Sequence, residues 1–173
     1  MACSQTLKGL VNDCAANMGG IVEVLIANHA DVTAVTLTDN KVSAITMASG
    51  ATFKKYGFAR NSGSLSSNYT IDEANGSRFV VSDLVLVFNR METTKRIEIT
   101  ALAQGELAVI VKDANGKYWY LGYDAPVRAS AGDGLTGTAR ADRNGYSVTL
   151  QDNSLEMPLE VADSIIDSLL PSA

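Results

Sequence analysis

Three glycines in the C-terminal third of the chain have the spacing of a dinucleotide-binding loop. Gly132, Gly134 and Gly137 read GxGxxG, a pattern that cradles a pyrophosphate when a buried strand precedes it and a helix begins at its third glycine. The preceding residues APVRAS contain Pro126, and the following residues TARADRNGYSVT turn at an Asn-Gly pair into a predicted strand. Without a helix N-terminus, no set of N–H groups converges on a phosphate. The glycines therefore predict a loop, either connecting or inter-subunit.

Other residue types that carry catalysis or bind metals are few and scattered. His29 is the one histidine, and a surface turn is its favoured interpretation because no cysteine is near it in sequence. Cys3 and Cys14 fit no zinc signature. Asp72 and Glu73 flank a predicted turn, where carboxylates are usually solvated. We therefore expect no catalytic residue, metal ligand or cofactor, and a protein that is not an enzyme.

The aromatic run YWY supplies the strongest argument for a small-ligand surface. Tyr118 and Tyr120 lie on one face of a predicted strand and Trp119 on the other, so one face could stack against a sugar ring. Aromatic residues of a hairpin more often fill a core or an interface. A carbohydrate-binding β-sandwich module therefore stays open as an alternative of a different class.

Length and charge narrow the function classes further. The chain has 173 residues, which predicts one β-rich structural domain over 1–173. Its net charge is −5, which argues against a protein that binds nucleic acid tightly through its phosphates. The same charge is compatible with the lining of a channel through which nucleic acid passes without binding. No run of 18 apolar residues and no secretory signal occur. We expect a protein with no membrane association and no small-molecule substrate.

Alternating hydrophobicity and frequent turn residues predict a mainly β fold. We expect strands at 21–27, 32–37, 42–47, 65–71, 79–88, 107–112, 117–122 and 146–151, with one further extended piece around Phe53, Tyr56 and Phe58. Asp39-Asn40, Asn75-Gly76 and Asn115-Gly116 mark hairpin turns, the last of them predicted as type I′.

Two segments carry helical signals. Thr93–Gly105 reads as a strand with period two, but the stripe of Ile97, Ala101 and Leu102 with a glycine stop favours a helix. Residues 158–170 have apolar side chains at helical spacing, which predicts a C-terminal helical arm that packs on a neighbour. The expected fold is a β-sandwich or barrel of antiparallel strands with one flanking helix and this arm.

Three stretches of the chain resemble one group of viral proteins. They are CSQTLKGLVNDCAANMGGIVEVLIAN, LVLVFNRMETTKRIEITALAQGELAVIVKDANGKYWYLG and SAGDGLTGTARADRNGYSVTLQDNS. Together they resemble small structural proteins of tailed bacteriophages, especially those of the Bacteroidetes phage and prophage group, and most of all a tail tube or tail ring protein. The likeness runs from Cys3 to about Met157. A neck ring, a capsid decoration protein or a head-fibre base protein stays open beside the tube.

The resemblance implies a sandwich whose inner sheets join into rings that stack into a DNA-conducting channel. It implies a homo-oligomer, a hexamer or dodecamer, in contact with neighbouring virion proteins, with transient non-specific passage of DNA. It places the protein in the virion, after assembly in the cytoplasm of the bacterial host. No catalytic residue is implied.

Under this hypothesis, the lumen should be acidic or neutral, because clustered cations would hold the passing phosphates. The carboxylates expected to face the lumen are Glu23, Asp83 and Glu106. A lumen ringed by Lys54, Lys55, Lys95 or Arg96 would contradict the hypothesis.

Two polar, turn-rich segments, 129–144 and 61–75, are expected to be mobile in the free subunit and to become ordered against adjacent subunits. The residues expected in such inter-subunit loops are Asn61, Gly63, Asn75, Gly76, Gly132, Gly134 and Gly137.

Overall fold

The computed structural model describes residues 7–12, 14–59 and 61–171. As the sequence predicts, the fold is mainly β, with two sheets and two short helices. The larger sheet has the strand order β2-β3-β11-β8-β7-β1-β4. Its strands are β1 (Ile21–Asn28), β2 (Val32–Thr38), β3 (Lys41–Met47), β4 (Lys54–Tyr56), β7 (Leu107–Asp113), β8 (Tyr118–Leu121) and β11 (Leu159–Val161).

The smaller sheet is antiparallel, with the order β5-β6-β10-β9. Its strands are β5 (Ser64–Asp72), β6 (Ser77–Asn89), β9 (Arg128–Leu135) and β10 (Gly145–Ser154). The predicted hairpin at Asn75-Gly76 joins β5 to β6, where Asp72 pairs with Ser77. The sequence-predicted strands 65–71, 79–88 and 146–151 are therefore confirmed, and each is longer than expected.

The main core lies between the two sheets. Alternate residues of β6 are buried from Val80 to Phe88, and they meet the alternate residues of β1 and β7 that include Val24 and Val109. Such alternation follows from the pleat, which turns successive side chains to opposite faces of a strand. The two sheets therefore form a sandwich.

A second core covers the opposite face of the larger sheet. Leu25 and Ile110 point to this side and pack with Phe53 and the end of the chain. Since β1 and β7 are buried on both faces, their sequences VLIA and LAVIV are continuous apolar runs.

The end of the chain differs from the sequence prediction of a helical arm over 158–170. Residues 159–161 form β11, which pairs with β3 and β8. A 3-10 helix follows at Asp163–Ile165, and the helix α2 spans only Ile166–Leu169. Ile166 and Leu169 are buried in the second core of their own chain, so the expectation of packing on a neighbour was wrong. The helical spacing was produced by a strand followed by a short helix.

The helix α1 (Thr93–Gln104) confirms the helical interpretation of this segment but not its predicted buried stripe. Leu102 is buried and Ile99 is packed against the main core, whereas Ile97 is 56% exposed. The helix contacts β9 and β10. The buried face is rotated from the predicted one because Ile99 and Leu102, three residues apart on the helix, are the side chains that pack on the main core.

The hairpin turns separate into two kinds. Asp39 and Asn40 both have positive φ, 52° and 61°, which is the two-residue type I′ turn. At Asn115-Gly116 only the glycine has positive φ, at 86°. The N–H of Asp113 donates to the carbonyl of Lys117 at 2.8 Å, so three residues form the loop and the type I′ prediction was wrong. A turn ending in one left-handed glycine produces this geometry.

Among the described residues, no helix has both the length and the apolar composition needed to cross a membrane.

Candidate assembly surface

The strand β5 is an edge strand with an unprotected side. It pairs with β6 over nine residues without a register shift, and no described strand pairs with its other side. Its sequence SLSSNYTID contains no Lys, Arg or Pro. Natural edge strands are usually protected by lysine, proline, bulges or a covering element, because free N–H and C=O groups accept another strand. The outer side of β5 is therefore open to pairing.

The opposite edge of the same sheet is β9. It includes Gly132 and Gly134, which pair with Val148 and Tyr146 of β10, so the expectation that these two glycines lie in a loop was wrong. A Cβ at Gly134 would come within 3.1 Å of the Tyr146 ring, which explains why glycine fits here. Gly137, at φ 70°, does lie in the loop after the strand.

The outward face of the smaller sheet carries few charges on β5, β6 and β10, whereas β9 adds Asp133 and Arg128, which pair with Ser147 and Gln151. On β6, the half-buried outward residues are four apolar side chains and one carboxylate, Phe79, Val81, Asp83, Val85 and Val87. The partners of these residues on β5 and β10 are mostly hydroxyl and amide side chains, Ser64, Ser66, Asn68, Thr70, Ser147, Thr149, Gln151 and Asn153. The Nε2 of Gln151 donates to Asp83 at 2.9 Å. This face offers a ridge of valines flanked by neutral polar groups.

The three carboxylates expected to face a lumen do not share a surface. Asp83 alone lies on the outward face of the smaller sheet. Glu23 lies on β1 in the larger sheet and is paired with Lys55 at 3.0 Å. Glu106 precedes β7 and pairs with Arg128. A lumen formed by the smaller sheet would include Asp83 but not Glu23 or Glu106, because alternation along a strand gives the side of that strand but not the sheet that it joins.

The cations that would contradict a conducting channel lie elsewhere. Lys54 and Lys55 are on β4 of the larger sheet, and Lys95 and Arg96 are on α1. The Nζ of Lys95 donates to the carbonyl of Asn89 at 2.7 Å. None of these four residues lies on the outward face of the smaller sheet.

The turn before β5 is packed against its own chain. Asn61 has φ 58°, and a Cβ at Gly63 would come within 2.9 Å of the side chains of Ile21 and Phe58. Residues 64–72, within the segment expected to be a mobile loop, form β5 instead. Gly63 is therefore needed for a close contact within the chain.

The tip of the β5–β6 hairpin is held by one carboxylate. Asp72 accepts from the backbone N–H groups of Ala74 and Asn75 and from the Asn75 side chain. The hydrogen bonds from Asn75 hold the pKa of Asp72 below its usual value. Next to the tip, Tyr69 and Ile71 are 53% and 59% exposed. The hairpin therefore exposes two apolar side chains next to a turn that is held by the hydrogen bonds of Asp72.

The aromatic residues do not form an exposed stacking face. Tyr118 and Tyr120 are buried in the second core, and the Nε1 of Trp119 donates to Asp113 at 2.9 Å. Their hydrophobic area stabilises the fold. The platform that a sugar would need is therefore not available on this strand.

His29 lies in a 3-10 helix, His29–Asp31, between β1 and β2, as its interpretation as a surface turn predicts. Its Nε2 is 3.2 Å from the carbonyl of Gly122. Cys14 is exposed with a free thiol, and Cys3 lies outside the described residues. Within the described part of the chain, no three His, Cys, Asp or Glu residues are grouped so as to hold a metal ion.

The segment before β1 is exposed and apolar in places. Leu7, Leu10 and Val11 are at least 90% exposed. One side chain of the β7–β8 turn connects to this segment: Asn115 accepts from the N–H of Met18 at 2.8 Å and donates to Asn17 and to the carbonyl of Met18. This asparagine is a local anchor for the segment.

Replacing Asn115 by alanine should release the N-terminal segment without unfolding the sandwich. Three hydrogen bonds are lost, all of them exposed, so the free energy of unfolding should fall by less than about 1 kcal/mol. Limited proteolysis should cut before residue 20 about fivefold faster or more, because cleavage of a locally opened segment follows its open population. Asn75→Ala, at the Asn-Gly turn between β5 and β6, should leave this cleavage rate unchanged. Equal rates in wild type and Asn115→Ala would contradict the anchoring role.

Comparison with protein-family models, with curated proteins and with solved structures gives no match to this chain.

Proposed function

We propose that this protein is a non-enzymatic structural component of a tailed-phage virion that assembles into rings of the tail tube or neck. The observation that carries the proposal is the pair of edge strands, β5 and β9, on opposite sides of one four-stranded sheet, neither of which pairs with a further described strand on its outer side. A contact between different patches of identical subunits repeats head to tail and closes into a ring when the rotation allows it. Pairing β5 of one copy with β9 of the next would make such a contact.

Strand direction is compatible with this pairing. Each neighbouring pair in the sheet is antiparallel, so β5 and β9, at the two ends of a four-stranded order, run in opposite directions. A rotation about an axis along the strands keeps each direction, and β9 would meet the next copy's β5 antiparallel. The enlarged sheet would therefore continue the alternation without a break, which favours hydrogen bonds perpendicular to the strands.

The outward face of the smaller sheet supports its role as the channel wall. Its outward residues on β6 include one carboxylate, Asp83, and no Lys or Arg, and Arg128 on the edge strand β9 is neutralised by an ion pair with Glu106. A neutral to weakly acidic wall does not retain phosphates, because phosphate affinity comes chiefly from clustered Lys and Arg. Transient, sequence-independent passage of DNA is the function that such a wall permits.

The rings are proposed to be hexamers or dodecamers that contact neighbouring virion proteins, formed in the bacterial host cytoplasm and retained in the virion. The exposed Tyr69 and Ile71 beside the hairpin tip lie at one end of the smaller sheet, where a stacked ring would touch them. Exposed apolar groups grouped in this way are typical of protein–protein contacts.

The oligomeric state of the purified protein tests the proposal directly. Light scattering after size exclusion should give the mass of six or twelve subunits, and negative-stain microscopy should show rings with a central hole. Assembly should persist at high salt, because backbone pairing and apolar contact depend little on ionic strength. A monomer at every concentration up to the millimolar range would overturn the proposal.

A further inference from the structure

A pocket with acidic walls opens beside the ends of β8 and β10. Its volume is about 290 Å³, close to the lower limit of small-ligand sites. Three acidic residues line it, Asp124, Asp152 and Glu156, together with Tyr120 and Tyr123. None of the described residues that line it is Lys, Arg or His. The pocket therefore concentrates negative charge without a cation of its own.

Asp152 differs from an ordinary surface carboxylate because it is buried in the wall of this pocket. Its side chain is buried, with only 2% of the residue exposed. Within the described part of the protein, its Oδ1 has no hydrogen-bond partner. Burial raises the pKa of this carboxyl, and hydrogen bonds from the Ser154 side chain and the Gly122 backbone only partly oppose the shift. A buried carboxylate with an unsatisfied oxygen is costly unless a cation or donor meets it.

The neighbouring groups add to the charge instead of neutralising it. The carboxylate of Asp124 acts on Asp152 and raises its pKa further, and Asp124 itself accepts from the N–H of Leu155 at 2.8 Å. Burial and the charge of Asp152 raise the pKa of Tyr120 to about 12, so its phenol stays neutral near pH 7. The site is therefore suited to a positive partner.

The chemistry of the partner follows from the spacing of the carboxylates. In the described residues, they do not group closely enough to hold a metal ion. Spread acceptors suit a cation with several N–H donors, each of which can meet a different carboxylate. We propose that this pocket binds a small organic cation, with a primary ammonium or guanidinium group directed at Asp152 and its charge shared by Asp124 and Glu156.

Titration calorimetry with 1,4-diaminobutane tests the site. The diamine should bind, whereas the uncharged isostere 1,4-butanediol and magnesium chloride at equal ionic strength should not. Asp152→Asn should weaken binding by about tenfold or more, as expected when a charged hydrogen bond is lost. Asp83→Asn removes a carboxylate outside the pocket and should bind as wild type does. Equal binding of the diol, or unchanged binding by Asp152→Asn, would overturn the proposal.

Light scattering in the presence of the diamine identifies the natural source of the cation. If a lysine or arginine of a second copy occupies the pocket, the diamine should compete with it and lower the assembly mass. If the ligand is a free amine, the mass should stay the same while calorimetry still records binding. The site does not depend on ring formation: a protein that is monomeric in the absence of the diamine, and that binds the diamine through Asp152, would refute the ring and keep the pocket.

Discussion

A proline within β5 is expected to abolish assembly while leaving the subunit folded. Asn68 and Tyr69 are adjacent, exposed residues in the middle of this edge strand. Successive residues of a strand direct their N–H groups to opposite sides, so one of the two N–H groups faces β6 and the other faces solvent. Proline at the solvent-facing position removes a donor that only a second subunit would use, and its ring hinders the approach of another strand.

Asn68→Pro and Tyr69→Pro should therefore differ from each other. One should unfold more easily, because it loses a hydrogen bond to β6. The other should keep the wild-type free energy of unfolding and weaken each subunit contact by about a hundredfold, or about 3 kcal/mol. Circular dichroism and urea unfolding identify the folded variant, and light scattering gives its mass.

Asn68→Val and Tyr69→Phe are the matched controls, because each changes the side chain of one proline variant and keeps the backbone N–H. Both should assemble as wild type does, since valine and phenylalanine are well suited to strands. If the folded proline variant forms rings of wild-type mass, β5 is not the contact and the proposed edge pairing is wrong.

Strands and turns could be predicted where the local sequence alone determines the structure. The alternation around Leu84, Leu86 and Phe88 predicted β6, because each of these residues faces the core and each intervening residue faces outward. The positive φ angles at Asp39 and Asn40 agree with the turn predicted between β2 and β3. In both places, the local sequence and the tertiary environment favour the same structure.

The predictions failed where a distant partner decides the local structure. Gly132 and Gly134 have low strand propensity, yet they form β9 because β10 supplies its hydrogen bonds and the Tyr146 ring occupies the space beside Gly134. The buried face of α1 follows from its packing on the main core and places Ile97 in solvent. Neither constraint is local in the sequence.

The candidate surfaces were predictable only in part, for the same reason. Asp83 could be assigned to the solvent side of its strand, but nothing local indicates that β6 lies in the smaller sheet. Asp152 gave no signal, since a single aspartate at the end of a predicted strand usually meets water. Its burial depends on residues distant in the sequence, because Asp152 pairs with Ser82 of β6 and shares its pocket with Tyr120 of β8.

Asp152→Asn is expected to make the unliganded protein more stable at pH 7, by about 1–3 kcal/mol, because a buried charge with an unsatisfied oxygen is replaced by a neutral amide. The pKa of Asp152 is raised in the folded state, whereas in the unfolded chain it should lie near about 3.9. Below that pH, the carboxyl is protonated in both states and costs the wild type nothing. As pH rises, the unfolded chain releases its proton first, so wild-type stability falls until pH passes the folded pKa.

The stability advantage of Asp152→Asn should therefore be near zero below about pH 3.5 and reach its full size above the folded pKa of Asp152. Urea unfolding of both proteins from pH 3 to 8 measures this difference, and Asp83→Asn should show no comparable rise because Asp83 is half-buried and accepts from Gln151. A variant less stable than wild type at pH 7 would mean that the carboxylate is already compensated within the chain. With 1,4-diaminobutane in excess, the wild type should regain stability at pH 7 and the variant should not, because binding to the folded state alone shifts the unfolding equilibrium.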